Sequence, residues 1–194
     1  MRHHDRGLGT PRGFTLIEVL VVLLLVSMIV LFGYPALDKM INRSRLTGVA
    51  TEVTNGLRLA RYQALKTSRP TICSVDPATR EILSWVDDNG DAILDVGENV
   101  LMRTTLRAGL YIGKPATAAG NAIDGFNGTT MARFNADGSV DAVGAYRFCD
   151  HPTNPRNFLE VAVRPRSVAR IEIKKWDGVA WWGSDEGPTP WVWY

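Results

Sequence analysis

The chain has 194 residues, 45% of them hydrophobic, and balances 22 Lys and Arg against 20 Asp and Glu for a formal net charge of +2. That length supports one domain with a real core plus an appendage, and so small a net charge carries no sign of a nucleic-acid partner by itself. The two cysteines, Cys73 and Cys149, lie far apart with no CxxC, which argues against a zinc site.

The leader MRHHDRGLGTPRG sets Arg2, Arg6 and Arg12 against Asp5. An oily run then extends from Phe14 to Tyr34, broken by a single charge at Glu18. At about 1.5 Å per residue its roughly 21 residues reach about 30 Å as a helix, the thickness of a bilayer core. A secretory signal has a shorter apolar region of about 7–15 residues and a small-residue cleavage site, and "FGYPALDKM" offers none. The basic leader predicts a cytoplasmic N-terminus and a translocated C-terminal bulk.

A carboxylate within hydrocarbon costs a few kcal/mol or more unless it is paired or protonated. Glu18 lies one helical turn from Phe14, since positions i and i+4 share a face. A cut between Gly13 and Phe14 would create an ammonium at Phe14, a natural partner for that carboxylate in the same chain or in a neighbour. The plainer alternative is a single-pass anchor with an incidental glutamate near the interface.

The stretch "RGFTLIEVLVVLLLVSMIVLFGYP" closely resembles the N-terminal segment of type IV pilins and type II secretion pseudopilins. The resemblance implies cleavage after Gly13 by the prepilin peptidase and N-methylation of Phe14. It also implies a docking role for Glu18 against a neighbouring subunit's N-terminal amine, and a helix kink at Pro35. It does not separate pilus from secretion use.

Beyond Pro35, a proline that removes one backbone donor, the helical pattern resumes. Leu46, Val49, Val53, Leu57, Ala60 and Ala64 recur at spacings of three and four and predict one apolar stripe. Gly48 and Gly56 each weaken a helix by up to about 1 kcal/mol relative to Ala, so this half is expected to lean on a globular head. Arg69-Pro70 ends it. The runs TICSV, EILSWV, NVLMRTT, GLYIG, TMARF, VGAYRF, FLEVAVR and ARIEIKKW then read as strands, separated by Gly, Asn, Asp and Pro clusters. NADGSV reads as a tight hairpin turn between strands. The expected fold is α+β and pilin-like. A leader (1–13), a transmembrane helix segment (14–34) and an amphipathic helix (35–69) precede an antiparallel β-sheet head with an aromatic tail (70–194). The head is expected in the periplasm, an oxidising compartment that favours a Cys73–Cys149 disulfide, worth roughly 4 kcal/mol for a loop of about 76 residues. Two buried free thiols are the alternative.

Three head segments carry candidate sites. In "DDNGDAILDVGE", Asp87, Asn89, Asp91, Asp95 and Glu98 fall at calcium-loop positions 1, 3, 5, 9 and 12. Ala92 stands where that loop wants Gly, and a polar hairpin loop with Asx turns fits the same residues. Similar acidic loops occur in the GspH/FimT group of minor pseudopilins, which the head resembles. In "RPRSVARIEIKKW", Arg164, Arg166, Arg170, Lys174 and Lys175 with Trp176 suit a nucleic-acid backbone and exposed bases. Some members of that group bind DNA through a Gly-Arg-x-Arg motif. The matching residues here are Ala169, Arg170, Ile171 and Glu172, so one arginine is kept and one charge is reversed. On a strand Arg170, Glu172 and Lys174 point together, which also fits an ordinary mixed-charge face. The tail holds five of the six tryptophans, with Asp177-Gly178 as a turn, and suits either a partner surface or the cover of the head's own sheet.

No nucleophile elbow, P-loop or HExxH occurs, and no enzyme activity or required cofactor is expected, calcium aside. The reading is a minor pilin or pseudopilin of the inner membrane, single-pass and filament-associated. Its expected partners are the prepilin peptidase and other pilin subunits, with DNA as an alternative partner for the head.

Overall fold

The computed structural model describes residues 13–151, 153, 155 and 157–183. Within the helix, the side chains of residues 32, 33, 35 and 36 lie outside that description, as do the first twelve residues of the expected leader and Trp191 and Trp193 of the tail.

Helix α1 spans Leu16–Thr67. The described chain forms two units that meet within it, between Lys39 and Met40. In the first unit every described side chain from Phe14 to Leu31 is exposed. Among the described residues no helix is long and apolar enough to cross a membrane; side-chain description of the oily run breaks off after Leu31. The helical span runs through Pro35, and the kink expected there falls on a residue whose side chain is outside the description.

In the second unit the predicted stripe is the floor of the core. Leu46, Val53, Leu57, Ala60 and Ala64 are fully buried, Val49 nearly so, and Ala50 joins them. The helix stops at Thr67, two residues before the predicted end, because Ser68 takes a left-handed φ of 53° and Pro70 holds Arg69 out of helical geometry. The two glycines differ. A methyl group at Gly48 would meet nothing, whereas one at Gly56 would meet the tip of Met102 at 2.5 Å and Cys73 Sγ at 3.5 Å. Gly56 therefore marks close approach of the helix to the sheet.

Ten strands follow. β1 (Thr71–Asp76), β2 (Glu81–Val86), β3 (Val100–Thr105) and β6 (Met131–Phe134) make one antiparallel sheet in the order β3-β2-β1-β6. The other contains β4 (Tyr111–Ile112), β5 (Ile123–Gly125), β7 (Gly144–Cys149), β8 (Phe158–Val163), β9 (Ile171–Trp176) and β10 (Trp181–Gly183). Its order is β10-β9-β8-β7-β4, with β5 also on β7. The eight predicted runs all contain strands; β5 and β10 are additional. NADGSV does turn, with Asn135 N–H donating to Ser139 O at 2.9 Å, but it leads to a single bridge between Phe134 and Val140 rather than to a strand. One buried cluster joins the helix stripe to Val75, Ile82 and Phe134 of the first sheet and to Tyr146, Phe148, Leu159 and Val161 of the second. The Tyr146 hydroxyl, buried and held neutral, lies 3.0 Å from the carbonyl oxygens of both Cys73 and Thr130 and ties the sheets together.

The outward side of β7 and β8 carries a buried charge pair. Arg147 Nε donates to Glu160 Oε2 at 2.7 Å, with side-chain exposures of 5% and 1%. The rest of the guanidinium is satisfied by the carbonyls of Ala119 and Asn121 and by Asp124, and the ring of Trp181 covers it at 5.4 Å.

The expected Cys73–Cys149 disulfide is not formed: both residues are buried free thiols. Cys73 lies on β1 against the helix at Gly56, and Cys149 ends β7 in the other sheet, its thiol 3.4 Å from the His151 carbonyl. Burial pushes the Cys73 thiol up to about 12 and the Cys149 thiol up to about 11. An unfolded thiol ionises near 8.5. The stability linked to these raised values is therefore complete below about pH 8.5 and is lost as pH rises toward the folded values.

Two outcomes are expected. In the native chain at pH 8 neither thiol reacts with iodoacetamide, and both react after denaturation, as read by intact mass; rapid native labelling would contradict the buried placement. Arg147→Met strands Glu160 and lowers unfolding stability by about 3–5 kcal/mol, while Arg147→Met with Glu160→Leu recovers most of the loss. An equally unstable double variant would show that the pair is not what the single change disturbs.

Candidate functional site

The N-terminal segment is built around Thr15. Its Oγ1 accepts the Glu18 N–H at 3.3 Å and its carbonyl accepts the same N–H at 3.1 Å, so Thr15 caps α1. The sequence Thr15-Leu16-Ile17-Glu18 has the spacing of a capping box, and Glu18 in the first turn suits the positive end of the helix dipole. The cap was legible in the sequence as T-x-x-E and went unread there. Gly13 and Phe14 precede the helix in exposed, non-helical backbone, and Phe14 is 83% exposed. Phe14, Glu18, Val19, Val22 and Leu23 border one shallow depression of about 270 Å³. The structure thus brings Phe14 and Glu18 to one depression, although Phe14 lies ahead of the helix, and leaves Gly13 and Phe14 exposed.

The acidic loop between β2 and β3 is held from within. Asp87 is fully buried; its oxygens accept the N–H groups of Gly90 and Ala92, and it faces Arg133 at 3.4 Å. Glu98 accepts the N–H groups of Asp88 (2.8 Å) and Asp95 (3.0 Å). The Asn89 amide donates to both Asp91 (2.9 Å) and Asp95 (2.8 Å). Ala92 takes a left-handed φ of 64°, the conformation for which the calcium-loop pattern wants glycine. The five residues do share one loop, yet among the described residues no group of three or more His, Cys, Asp or Glu is arranged to hold a metal ion. A cation would have to displace the Asn89 amide from Asp91 and Asp95.

The basic segment does not present one cationic face. Arg170 pairs with Glu172 at 2.7 Å, and Lys174 lies 3.5 Å from the same carboxylate, so the predicted shared face holds an anion between its two cations. Arg164 lies 3.7 Å from Glu160. Arg166 donates from Nε to the Val140 carbonyl. Lys175, one residue on, faces the other side and is buried, and burial beside Arg43 holds its ammonium below the usual lysine range. In the tail, Asp177 Oδ1 accepts the N–H groups of Val179 and Ala180 and forms the predicted turn between β9 and β10. The Trp176 and Trp181 rings meet at 5.2 Å, and Trp182 donates its indole N–H to Asp177. Trp181 thus lies over Arg147 of β7 and beside Trp176, Trp182 is tied to its own turn, and all three rings stay half-buried.

Residues 10–34 match the family model of the prokaryotic N-terminal methylation motif, and residues 49–165 match that of type II transport protein GspH. Among solved structures the chain is similar to the Pseudomonas aeruginosa type IV minor pilin FimU, with 16% identity over 68% of this chain and 89% of that one and a TM-score of 0.47. It is also similar to the minor pseudopilin EpsH of the Vibrio cholerae type 2 secretion system, with 17% identity over 66% and 95% and a TM-score of 0.48. The search of curated proteins gave no match. The second family model spans more than half of the residues, and the chain belongs to the type II transport protein GspH family.

Proposed function

We propose that this chain is a filament subunit, cut between Gly13 and Phe14 by a prepilin peptidase, N-methylated at Phe14 and assembled through α1 into a type II secretion or type IV pilus filament. The observation that carries the reading is the junction itself: exposed Gly13 and Phe14, a Thr15-capped helix directly after them, and Glu18 at the same depression as Phe14. Cleavage would place a cation one turn from a carboxylate that otherwise stands alone in apolar sequence. The exposed apolar residues from Phe14 to Leu31 need a non-aqueous partner, first the inner membrane and then neighbouring subunits. The head is periplasmic in this reading, and its role is structural rather than catalytic.

The DNA-binding alternative has weaker support, because Glu160 and Glu172 sit among Arg164, Arg170 and Lys174 and interrupt the cationic face that a phosphate backbone would need. An anchored protein that is never cut is the other alternative, and it leaves Glu18 with no role beyond the first turn of α1.

Glu18→Ala is the direct test of the docking role. The variant is expected to be processed normally but recovered in sheared filaments at about one-tenth of the wild-type level or less, the loss of an ion pair worth a few kcal/mol in an apolar setting. Wild-type incorporation of Glu18→Ala would overturn the role assigned to this carboxylate.

A further inference from the structure

Two hairpin connections of the head have opposite charge, and each carries bare apolar side chains. On the acidic loop Ile93 is 62% exposed and Val96 108%. Single exposed hydrophobics are ordinary, but here two lie on one tip whose shape is fixed by the bonds of Asp87, Asn89 and Glu98. Asp91 and Asp95 on that tip accept hydrogen bonds from the Asn89 amide, and Asp91 also accepts from the Ile93 N–H; no cation faces either among the described residues. The connection from β8 to β9 is the counterpart. It is closed by Arg164 N–H to Arg170 O (2.9 Å) and Ala169 N–H to Pro165 O (2.8 Å), and it presents Val168 at 54% exposure between Arg166 and Arg170. Arg166 meets no carboxylate within ion-pair distance among the described residues, while Arg164 and Arg170 keep their outer edges exposed beside Glu160 and Glu172. Both tips are ordered before any contact, so little entropy is left to lose on docking.

We propose that these tips are the two halves of one contact between copies of this chain. Ile93 and Val96 of one copy pack on Val168 of the next, and Asp91 and Asp95 face Arg166 with the exposed edges of Arg164 and Arg170. The halves are different patches, so the contact is head-to-tail and leaves each copy with one tip of each kind still open. Two loop tips cover far less than the roughly 1,200 Å² of a stable complex. The contact is therefore weak between free chains and becomes effective where copies are held together. This inference goes beyond the N-terminal reading and does not depend on it, because it concerns the head alone.

The test is disulfide cross-linking of two differently tagged full-length chains, purified in detergent and mixed at roughly 0.5 mM, where a millimolar contact is well populated. One chain carries Val96→Cys and the other Val168→Cys; the control pairs Val96→Cys with Val179→Cys, a valine 84% exposed at the β9–β10 turn. The native thiols are buried and do not compete. The 96–168 heterodimer should exceed the control about fivefold. It should fall severalfold with Asp91→Asn/Asp95→Asn, or when salt rises from about 0.1 to about 1 M and the screening length shrinks from about 10 to about 3 Å. Equal yields for the two pairs, or a 96–168 yield indifferent to charge and salt, would overturn the proposal.

Discussion

The structure of the head depends on one buried stripe. Leu46, Val49, Val53, Leu57, Ala60 and Ala64 sit at or near zero exposure, and both sheets contribute to the cluster around them. A long helix with small residues every turn or two lets strands approach closely, most visibly at Gly56, where Cys73 and Met102 press in. The same helix carries an apolar N-terminal half in which every described side chain from Leu16 to Leu31 is exposed. One element thus plays two parts: its second half lies in the core of the head, and its first half is exposed apolar surface.

That division explains how the chemistry is distributed. Charges in the head are paired or satisfied where they are buried, as with Arg147 and Glu160 across β7 and β8 and Asp87 against Arg133. Three nearby basic residues are tied to Glu160 and Glu172. Among the features left outward are the N-terminal face of Phe14 and Glu18 and the two hairpin tips with their bare apolar side chains. In the functional reading proposed above, all three serve contact between chains.

Much of this was legible in the sequence. The stripe could be read because every turn of this half of the helix offers a buried position and, Thr54 apart, the side chains there are apolar. The long strands could be read because their β-branched and aromatic runs are bounded by turn residues. β5 and β10 could not, since Ile123-Asp124-Gly125 has no strand pattern and Trp181-Trp182-Gly183 sits in a tail that reads equally as an interface. The Arg147–Glu160 pair was hidden for a different reason. Each residue is a lone charge in an apolar run, and only the register of β7 against β8 sets them opposite each other. Its faint signal was one charge of each sign at the middle of adjacent apolar strands. The disulfide expectation rested on compartment and cysteine count alone. The fold instead uses one thiol against the helix and the other at the end of a strand in the second sheet. The capping residue Thr15 and the left-handed Ala92 show the opposite case, in which the local pattern was sufficient and the backbone followed it.

The account turns on whether the peptide between Gly13 and Phe14 is opened in the cell. Intact-mass and N-terminal analysis of the chain extracted from membranes addresses this without any variant. The account requires a first residue of Phe14 carrying one added methyl group on its amine. A chain that begins at Met1 in cells with an active prepilin peptidase would contradict it, because Glu18 would then have no ammonium one turn away.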